Sequence, residues 1–206
     1  MIIVFLGDSI TEGVGASVEK NCYVSLVENI AGVEVYNYGV SGSRIARQKV
    51  DRKIMAHDWD FQQRAMIMKK DADFVFVFGG TNDFGHGNAD LTNDDIKDPY
   101  TFWGGMNNLC DYLLSVYDKE RICFLLPLRR FNEINEKGCT LKEYVDIMIS
   151  VLKEKNIEYL DFYQKGLPQP LTEQNNEYFC DGLHPNDNGH KWIAEQIVKY
   201  VKSFDK

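Results

Sequence analysis

The stretch Met1-Ile-Ile-Val-Phe-Leu-Gly-Asp-Ser-Ile-Thr11 decides how the rest of the chain is read. Its apolar run, Ile2 to Leu6, is rich in β-branched and aromatic side chains and stops at Gly7. That is the pattern of a buried strand entering a tight turn. Ser9 then falls just past the strand's carboxyl end. In open α/β sheets ligands bind at this edge, so a hydroxyl placed there has both access to substrate and a rigid support. Taken alone, the same serine would serve equally well as a helix cap.

Working outward, Glu19 to Ala31 carries helical spacing in Tyr23, Leu26, Val27 and Ile30 and ends before Gly32, a C-cap signal. Val33 to Gly39 reads as a second strand, followed by a loop from Val40 to Ser43. Arg44 to Lys70 reads as two helical pieces broken near His57-Asp-Trp-Asp60. The histidine and acids there hint at a metal, but a solvated turn with Asp58 or Asp60 as N-cap is the preferred reading. Ala72-Asp-Phe-Val-Phe-Val-Phe78 is continuous in β-formers, as expected of a central strand covered on both faces. It ends at Gly79-Gly80 and opens a polar loop from Thr81 to about Asp98. Pro99 suits the first position of a helix reaching about Tyr117. Arg121 to Pro127 is a fourth strand. Thr140 to Lys155 is a helix with Tyr144, Ile147, Met148, Val151 and Leu152 inward, and Ile157 to Phe162 a fifth strand. A final helix from about Asn188 to Ser203 has Ile193, Ile197, Val201 and Phe204 at helical spacing.

Strands alternating with helices at these lengths imply an α/β fold, a parallel sheet with helices on both faces and right-handed crossovers. All strand carboxyl ends then share one edge. Ser9, Gly39, Gly80 to Asn82 and the loop after Pro127 become neighbours although they are far apart in sequence.

At 206 residues the chain is the size of a single α/β domain spanning 1–206. With 31 acidic against 23 basic residues, net charge −8 and no basic cluster, neither nucleic acid nor an anionic membrane surface is the expected partner. No apolar run approaches the roughly 20 residues that span a bilayer. The initial run lacks a basic flank and a small-residue cleavage site, so the expected location is cytoplasmic. Five cysteines (Cys22, Cys110, Cys123, Cys139, Cys180) without CxxC or zinc-like spacing suggest free thiols. Cys110 and Cys123 sit in apolar contexts expected of a core, and Cys180 reads as a packing residue.

Acyl transfer by serine requires a base, a carboxylate to orient it and donors aimed at the oxyanion. Of four histidines, His184 has the informative setting, Asp181-Gly-Leu-His-Pro185. A carboxylate three residues earlier, across a turn with a flexible glycine, can reach the ring's Nδ1. Pro185 biases His184 to an extended backbone and keeps it out of the following helix. Candidate oxyanion donors are the backbone N–H groups of Ser9 and Gly39 and the side-chain amide of Asn82. Glycine at position 39 would let a substrate carbonyl approach the backbone closely.

Gly7-Asp-Ser9, Gly39, Gly80-x-Asn82-Asp and Asp181-x-x-His184 together resemble the four blocks of the SGNH (GDSL) hydrolase family, in the family's order and across nearly the whole chain. The resemblance implies a flavodoxin-like three-layer α/β/α sandwich with a five-stranded parallel sheet and an esterase or lipase-like acylhydrolase. It also implies Ser9 as nucleophile, Asp181 and His184 as its partners, and Ser9, Gly39 and Asn82 as the oxyanion hole. The family needs no metal or organic cofactor. The Gly-x-Ser-x-Gly elbow of α/β-hydrolases is absent, Thr11 standing where its second glycine would be.

Asp8 and Asp83 read as loop-organising acceptors and His86, at the mouth of the site, as a solvated loop histidine. Arg129 and Arg130 follow the fourth strand on the active edge, where they could hold an anionic or polyhydroxylated leaving group. Tyr100, Phe102 and Trp103 read as core in preference to an acyl or sugar pocket. The expected activity is hydrolysis of a small-molecule ester with a short acyl group, such as an acetylated carbohydrate, because no long apolar segment suggests a lipid-binding lid. The competing readings are a lysophospholipase, lipase or thioesterase acting on longer chains and, from another class, a silent binding protein for acylated sugars.

Overall fold

The computed structural model describes residues 1–49, 59–92 and 97–204. Strands β1 (Ile2–Gly7), β2 (Glu34–Gly39), β3 (Phe74–Phe78), β4 (Ile122–Leu125) and β5 (Glu158–Leu160) form one sheet in the order β2-β1-β3-β4-β5. Every neighbouring pair is parallel. This is the flavodoxin-like doubly wound order, in which the direction of winding reverses between β1 and β3. The helices are α1 (Ser9–Glu12), α2 (Tyr23–Ala31), α3 (Phe61–Ala65), α4 (Thr81–His86), α5 (Phe102–Val116), α6 (Leu141–Glu154), α7 (Phe162–Lys165) and α8 (Asp187–Lys202).

Side-chain alternation along the strands divides the core into two layers. Val4, Leu6, Val75, Val77 and Phe124 pack with α3, α5 and α6 on one face. Ile3, Phe5, Phe76, Phe78 and Leu125 pack with α2 and α8 on the other. Each such side chain contributes about 1.5–3 kcal/mol when fully buried. Every residue of β3 is buried, as expected of a strand covered on both faces, whereas β2 and β5 are partly exposed edges. Phe5 stacks on Phe76 at 5.5 Å between ring centroids, and Tyr23 meets Phe5 edge-on at 5.5 Å. Cys110 and Cys123 are fully buried in these layers, and all five cysteines are unpaired. Among the described residues no helix is long and apolar enough to cross a membrane.

The differences from the expected elements have local causes. Pro99 does not open α5; Thr101 does, its hydroxyl accepting the Gly104 N–H at 3.1 Å. Residues 44–49 are irregular instead of helical because the N–H groups of Ile45 and Ala46 are taken by the Asp83 carboxylate, at 2.9 and 2.8 Å. Asp60 is the N-cap of α3, in a capping box with Gln63; His57 and Asp58 lie outside the described residues. The polar stretch after Gly80 begins with a helix, α4, so Asn82 stands on a helix and not in a loop. Residues 19–21 form a separate 3-10 turn ahead of α2, whose C-cap is Gly32 at φ 65°. The fifth strand stops at Leu160 because Asp161 caps α7 through the Gln164 N–H at 3.0 Å.

Gly39 separates close approach from conformational freedom. A Cβ there would lie 2.1 Å from the Glu12 backbone nitrogen, so α1 fills the space and glycine is demanded by packing, not by an approaching substrate. Gly42 has φ +76° and open space around its Cα. In urea denaturation followed by circular dichroism, Gly42→Ala is expected to cost about 1–2 kcal/mol, the usual left-handed penalty. Gly39→Ala must displace α1 itself and is expected to exceed the roughly 4 kcal/mol that marks exceptional substitutions.

Candidate active site

The reversal of winding places the carboxyl ends of β1 and β3 side by side, with Gly7 in register with Phe78. Two of the candidate residues leave from these strands. Asp8 is the N-cap of α1, its Oδ1 accepting the Ile10 N–H at 3.0 Å, and Ser9 is the first residue of that helix. Gly7 permits the turn: a Cβ would sit 1.8 Å from the Thr11 hydroxyl.

Ser9 Oγ lies 3.0 Å from His184 Nε2, and His184 Nδ1 lies 2.6 Å from Asp181 Oδ2. A carboxylate only accepts, so Nδ1 carries the ring hydrogen and Nε2 turns its lone pair to the serine hydroxyl. Asp181 Oδ1 accepts the N–H groups of Leu183 and His184, at 3.0 and 2.7 Å. Its partial burial raises the Asp181 pKa, but the hydrogen bonds from the His184 N–H and ring outweigh this and hold it below the ordinary carboxylate value. The loop is closed by the Cys180 N–H donating to the His184 carbonyl at 2.9 Å.

A second set of contacts docks this loop on the Ser9 side of the molecule. Asp187, at the start of α8, accepts the N–H and hydroxyl of Ser17 at 2.8 and 2.7 Å and the Asn21 amide at 2.9 Å. Buried His190 accepts the Tyr23 N–H on Nδ1 at 3.3 Å and faces the Val14 carbonyl with Nε2 at 3.2 Å. Burial lowers its pKa, and the Val14 contact only partly compensates. Gly15 packs against the Pro185 carbonyl where a Cβ would stand 2.1 Å away.

The candidate oxyanion donors are held by their own networks. Asn82 is buried; its Nδ2 donates to the Ser43 carbonyl at 3.1 Å and its Oδ1 lies 3.1 Å from His86 Nε2. His86 is thus bonded on α4, contrary to the reading of a solvated loop residue, although the side chain is exposed. The Gly39 N–H donates to Asn37 Oδ1 at 2.8 Å, and Asn37 Nδ2 donates to the Thr11 carbonyl at 2.8 Å. Asn37 was not singled out from sequence; its position two residues before Gly39 was the available signal.

Beneath the site, Arg64 is 3% exposed and ties separate elements together. It donates to Ser43 Oγ at 2.6 Å, to the Gly7 carbonyl at 3.0 Å and to the Tyr38 carbonyl. Burial lowers its pKa to about 10. Burial raises Asp8 to about 7, the negative Asp83 adding to the shift, and raises Asp83 to about 6. Both acids act as acceptors for backbone N–H groups, as read from the sequence. Arg129 is paired with Glu133 through two bonds of 3.0 and 2.9 Å. Arg130 lies over the Phe84 ring at 5.2 Å and donates to the Thr81 carbonyl at 3.3 Å. Phe102 is core against Tyr144, at 4.9 Å between centroids, Trp103 packs at the edge of the same layer, and Tyr100 is 36% exposed beneath Arg47. A groove of about 650 Å³ between β5, α7 and α8 is lined by Phe162, Trp192 and Tyr200 and by none of the candidate site residues.

An all-parallel, doubly wound sheet carrying a serine, a histidine and an aspartate in hydrogen-bond sequence at its carboxyl edge has the architecture of the SGNH-fold hydrolases. The model of the GDSL-like lipase/acylhydrolase family matches residues 5–192, and the chain belongs to that family. It is 25% identical over 225 residues to the Bacillus subtilis (strain 168) protein YpmR, covering 98% of this chain and 82% of the relative. It is also 26% identical over 172 residues to the GDSL esterase/lipase WDL1 of Oryza sativa subsp. japonica, covering 78% of this chain and 61% of the rice protein. A crystal structure from Lactobacillus plantarum superposes with TM-score 0.78 at 26% identity, covering 98% of this chain and 96% of the other.

The raised pKa of Asp8 has a consequence for stability. Its folded value of about 7 lies above the ordinary carboxylate value of 3.8, so the folded state binds more protons between these limits and stability falls as pH rises through them. Asn caps a helix as well as Asp does. Asp8→Asn is therefore expected to raise the melting temperature by several degrees at pH 8 and to bring no gain at pH 4, measured by thermal denaturation across that range.

Proposed function

We propose that the protein is a serine esterase that cleaves carboxylic esters through an acyl-enzyme, with short acyl groups, acetyl above all, carried on a small molecule such as a carbohydrate. The observation that carries this reading is the run of two hydrogen bonds from Asp181 through His184 to Ser9, at 2.6 and 3.0 Å. Ser9 Oγ attacks the ester carbonyl carbon while His184 Nε2 takes the hydroxyl proton. Asp181 holds the ring in the required tautomer and stabilises the imidazolium that forms. The carbonyl electron pair moves onto oxygen, facing the Ser9 N–H and the Asn82 amide, with the Gly39 N–H joining them once Asn37 Oδ1 gives way. Collapse expels the alcohol, which receives the proton from His184. Water then attacks the acyl-enzyme with His184 again as base, releasing the carboxylic acid and restoring Ser9.

One feature supports a short acyl group. The apolar groove on the β5 edge is built from elements other than those that carry Ser9 and His184.

Ser9→Ala is expected to lower kcat on p-nitrophenyl acetate by roughly 10⁴–10⁶-fold, the scale seen when a serine nucleophile is removed, with an unchanged melting temperature. A fluorophosphonate probe should label wild type at Ser9 and spare the variant; absence of labelling and turnover would leave a binding protein for acylated sugars. Across p-nitrophenyl esters, kcat/KM should fall from acetyl to octanoyl. A rise along that series would reassign the enzyme to lipids, and preference for acyl-CoA would make it a thioesterase.

A further inference from the structure

We propose that His86 is a positioning residue that sets the orientation of the Asn82 amide, with Arg44 setting the tautomer of His86. The inference rests on the esterase reading, because it concerns the donor that Asn82 offers to the oxyanion. A side-chain amide has two orientations related by a half-turn, one presenting NH₂ where the other presents oxygen. Only the first serves an oxyanion; the reverse would face it with a second oxygen.

The neighbours of Asn82 decide between the two. On one side is the Ser43 carbonyl, 3.1 Å from Nδ2, which can only accept. On the other is His86 Nε2, 3.1 Å from Oδ1. His86 is the residue four positions after Asn82 on α4, where helical spacing brings two side chains onto one face. The imidazole is itself ambiguous until its other nitrogen is considered. Arg44 Nη1 lies 3.0 Å from His86 Nδ1. A guanidinium only donates, so Nδ1 supplies its lone pair and the ring hydrogen resides on Nε2. Hydrogen bonds then run one way, from Arg44 to His86 to Asn82 Oδ1 and from Asn82 Nδ2 to Ser43. One N–H of Nδ2 is committed to Ser43, and the second is the one offered to the oxyanion. Reversing the amide would set Oδ1 against the Ser43 carbonyl and two donors against each other at His86, breaking both bonds of a buried group.

The role predicts a kinetic pattern that a substrate-binding or merely structural histidine would not give. His86→Ala frees the amide to populate the wrong orientation and should lower kcat on p-nitrophenyl acetate by about 10- to 100-fold, less than the 10²–10³-fold typical of deleting an oxyanion donor. KM should stay within about twofold and the melting temperature should fall by no more than a few degrees, since water can reach Asn82 Oδ1 in the place the exposed ring leaves. His86→Gln, whose amide NH₂ can donate to Oδ1, should recover most of the loss. In an Asn82→Ala background, His86→Ala should cost nothing further. A loss that multiplies with that of Asn82→Ala, or that appears in KM alone, would overturn the proposal. An independent readout is the ¹⁵N spectrum of the His86 ring in the resting protein: protonation on Nε2 is expected, and protonation on Nδ1 would overturn it. Full turnover by Ser9→Ala would instead sink the esterase reading and leave the ring assignment standing, so the two failures are distinguishable.

Discussion

Ser9 and His184 are 175 residues apart in the chain, yet Ser9 Oγ and His184 Nε2 are 3.0 Å apart, and much of the remaining architecture serves that distance. The entropic cost of closing so long a loop is modest, because it grows only with the logarithm of length. The demanding part is precision, since an active constellation must be held to within about 0.5 Å. Ser9 follows β1, an interior strand in register with both neighbours, and so inherits the rigidity of the sheet. His184 arrives on a loop with no strand beneath it. Its position comes from the seam between residues 14–23 and 185–190, where Asp187 gathers three donors and His190 bridges Tyr23 and Val14. The seam is polar and directional, so it specifies one docking register, whereas apolar contact between α2 and α8 alone would tolerate sliding.

A second constraint lies under the site, where Asp8, Asp83 and Arg64 are buried together. Such groups are expensive to desolvate, and an apolar replacement would often be as stable. Their value here is connectivity. Arg64 reaches the carbonyls at the ends of β1 and β2 and the Ser43 hydroxyl, while Asp83 on α4 collects the N–H groups of Ile45 and Ala46. The turn bearing Ser9, the strand end bearing Gly39 and the helix bearing Asn82 are thereby joined below the surface on which a substrate would lie. The cost appears in the pKa values of the two acids, both raised by burial, and in that of the arginine, lowered by it.

How far the fold could be read from sequence followed the range of the interactions responsible. β3 was legible because Phe74 to Phe78 are buried on both faces and all five are β-formers. The Asp181 to His184 unit was legible because its contacts close within four residues. Long-range satisfaction was not. Residues 44–49 have a composition compatible with a helix, but the N–H groups of Ile45 and Ala46 bond to Asp83, 38 and 37 positions away. The short helix after Gly80 was hidden by its polar residues Thr81, Asn82 and Asp83, which are buried toward the site and its supporting contacts. His86 looked solvated because nothing local marks it, its ring being engaged by Asn82 one turn earlier and by Arg44, 42 residues away. Asn37 escaped notice for a related reason: its amide serves β2 and α1 simultaneously, a role visible only once the two are adjacent.

The two polar chains that converge on the proposed reaction centre obey one rule with opposite sign. Histidine and asparagine are ambivalent, each able to donate or accept, and a neutral network built from them alone has no preferred direction. Here each chain begins with a charged group that cannot reverse its role. The Asp181 carboxylate cannot donate, so it forces the hydrogen of His184 onto Nδ1 and leaves an acceptor facing Ser9. The Arg44 guanidinium cannot accept, so it forces the hydrogen of His86 onto Nε2, and the Asn82 amide passes that polarity on as a donor. Ester cleavage needs this pair, a proton acceptor beside the attacking oxygen and a proton donor beside the oxygen that becomes negative. In the proposed mechanism, opposite charges at the outer ends of the two chains would supply both, without either charge having to touch the substrate.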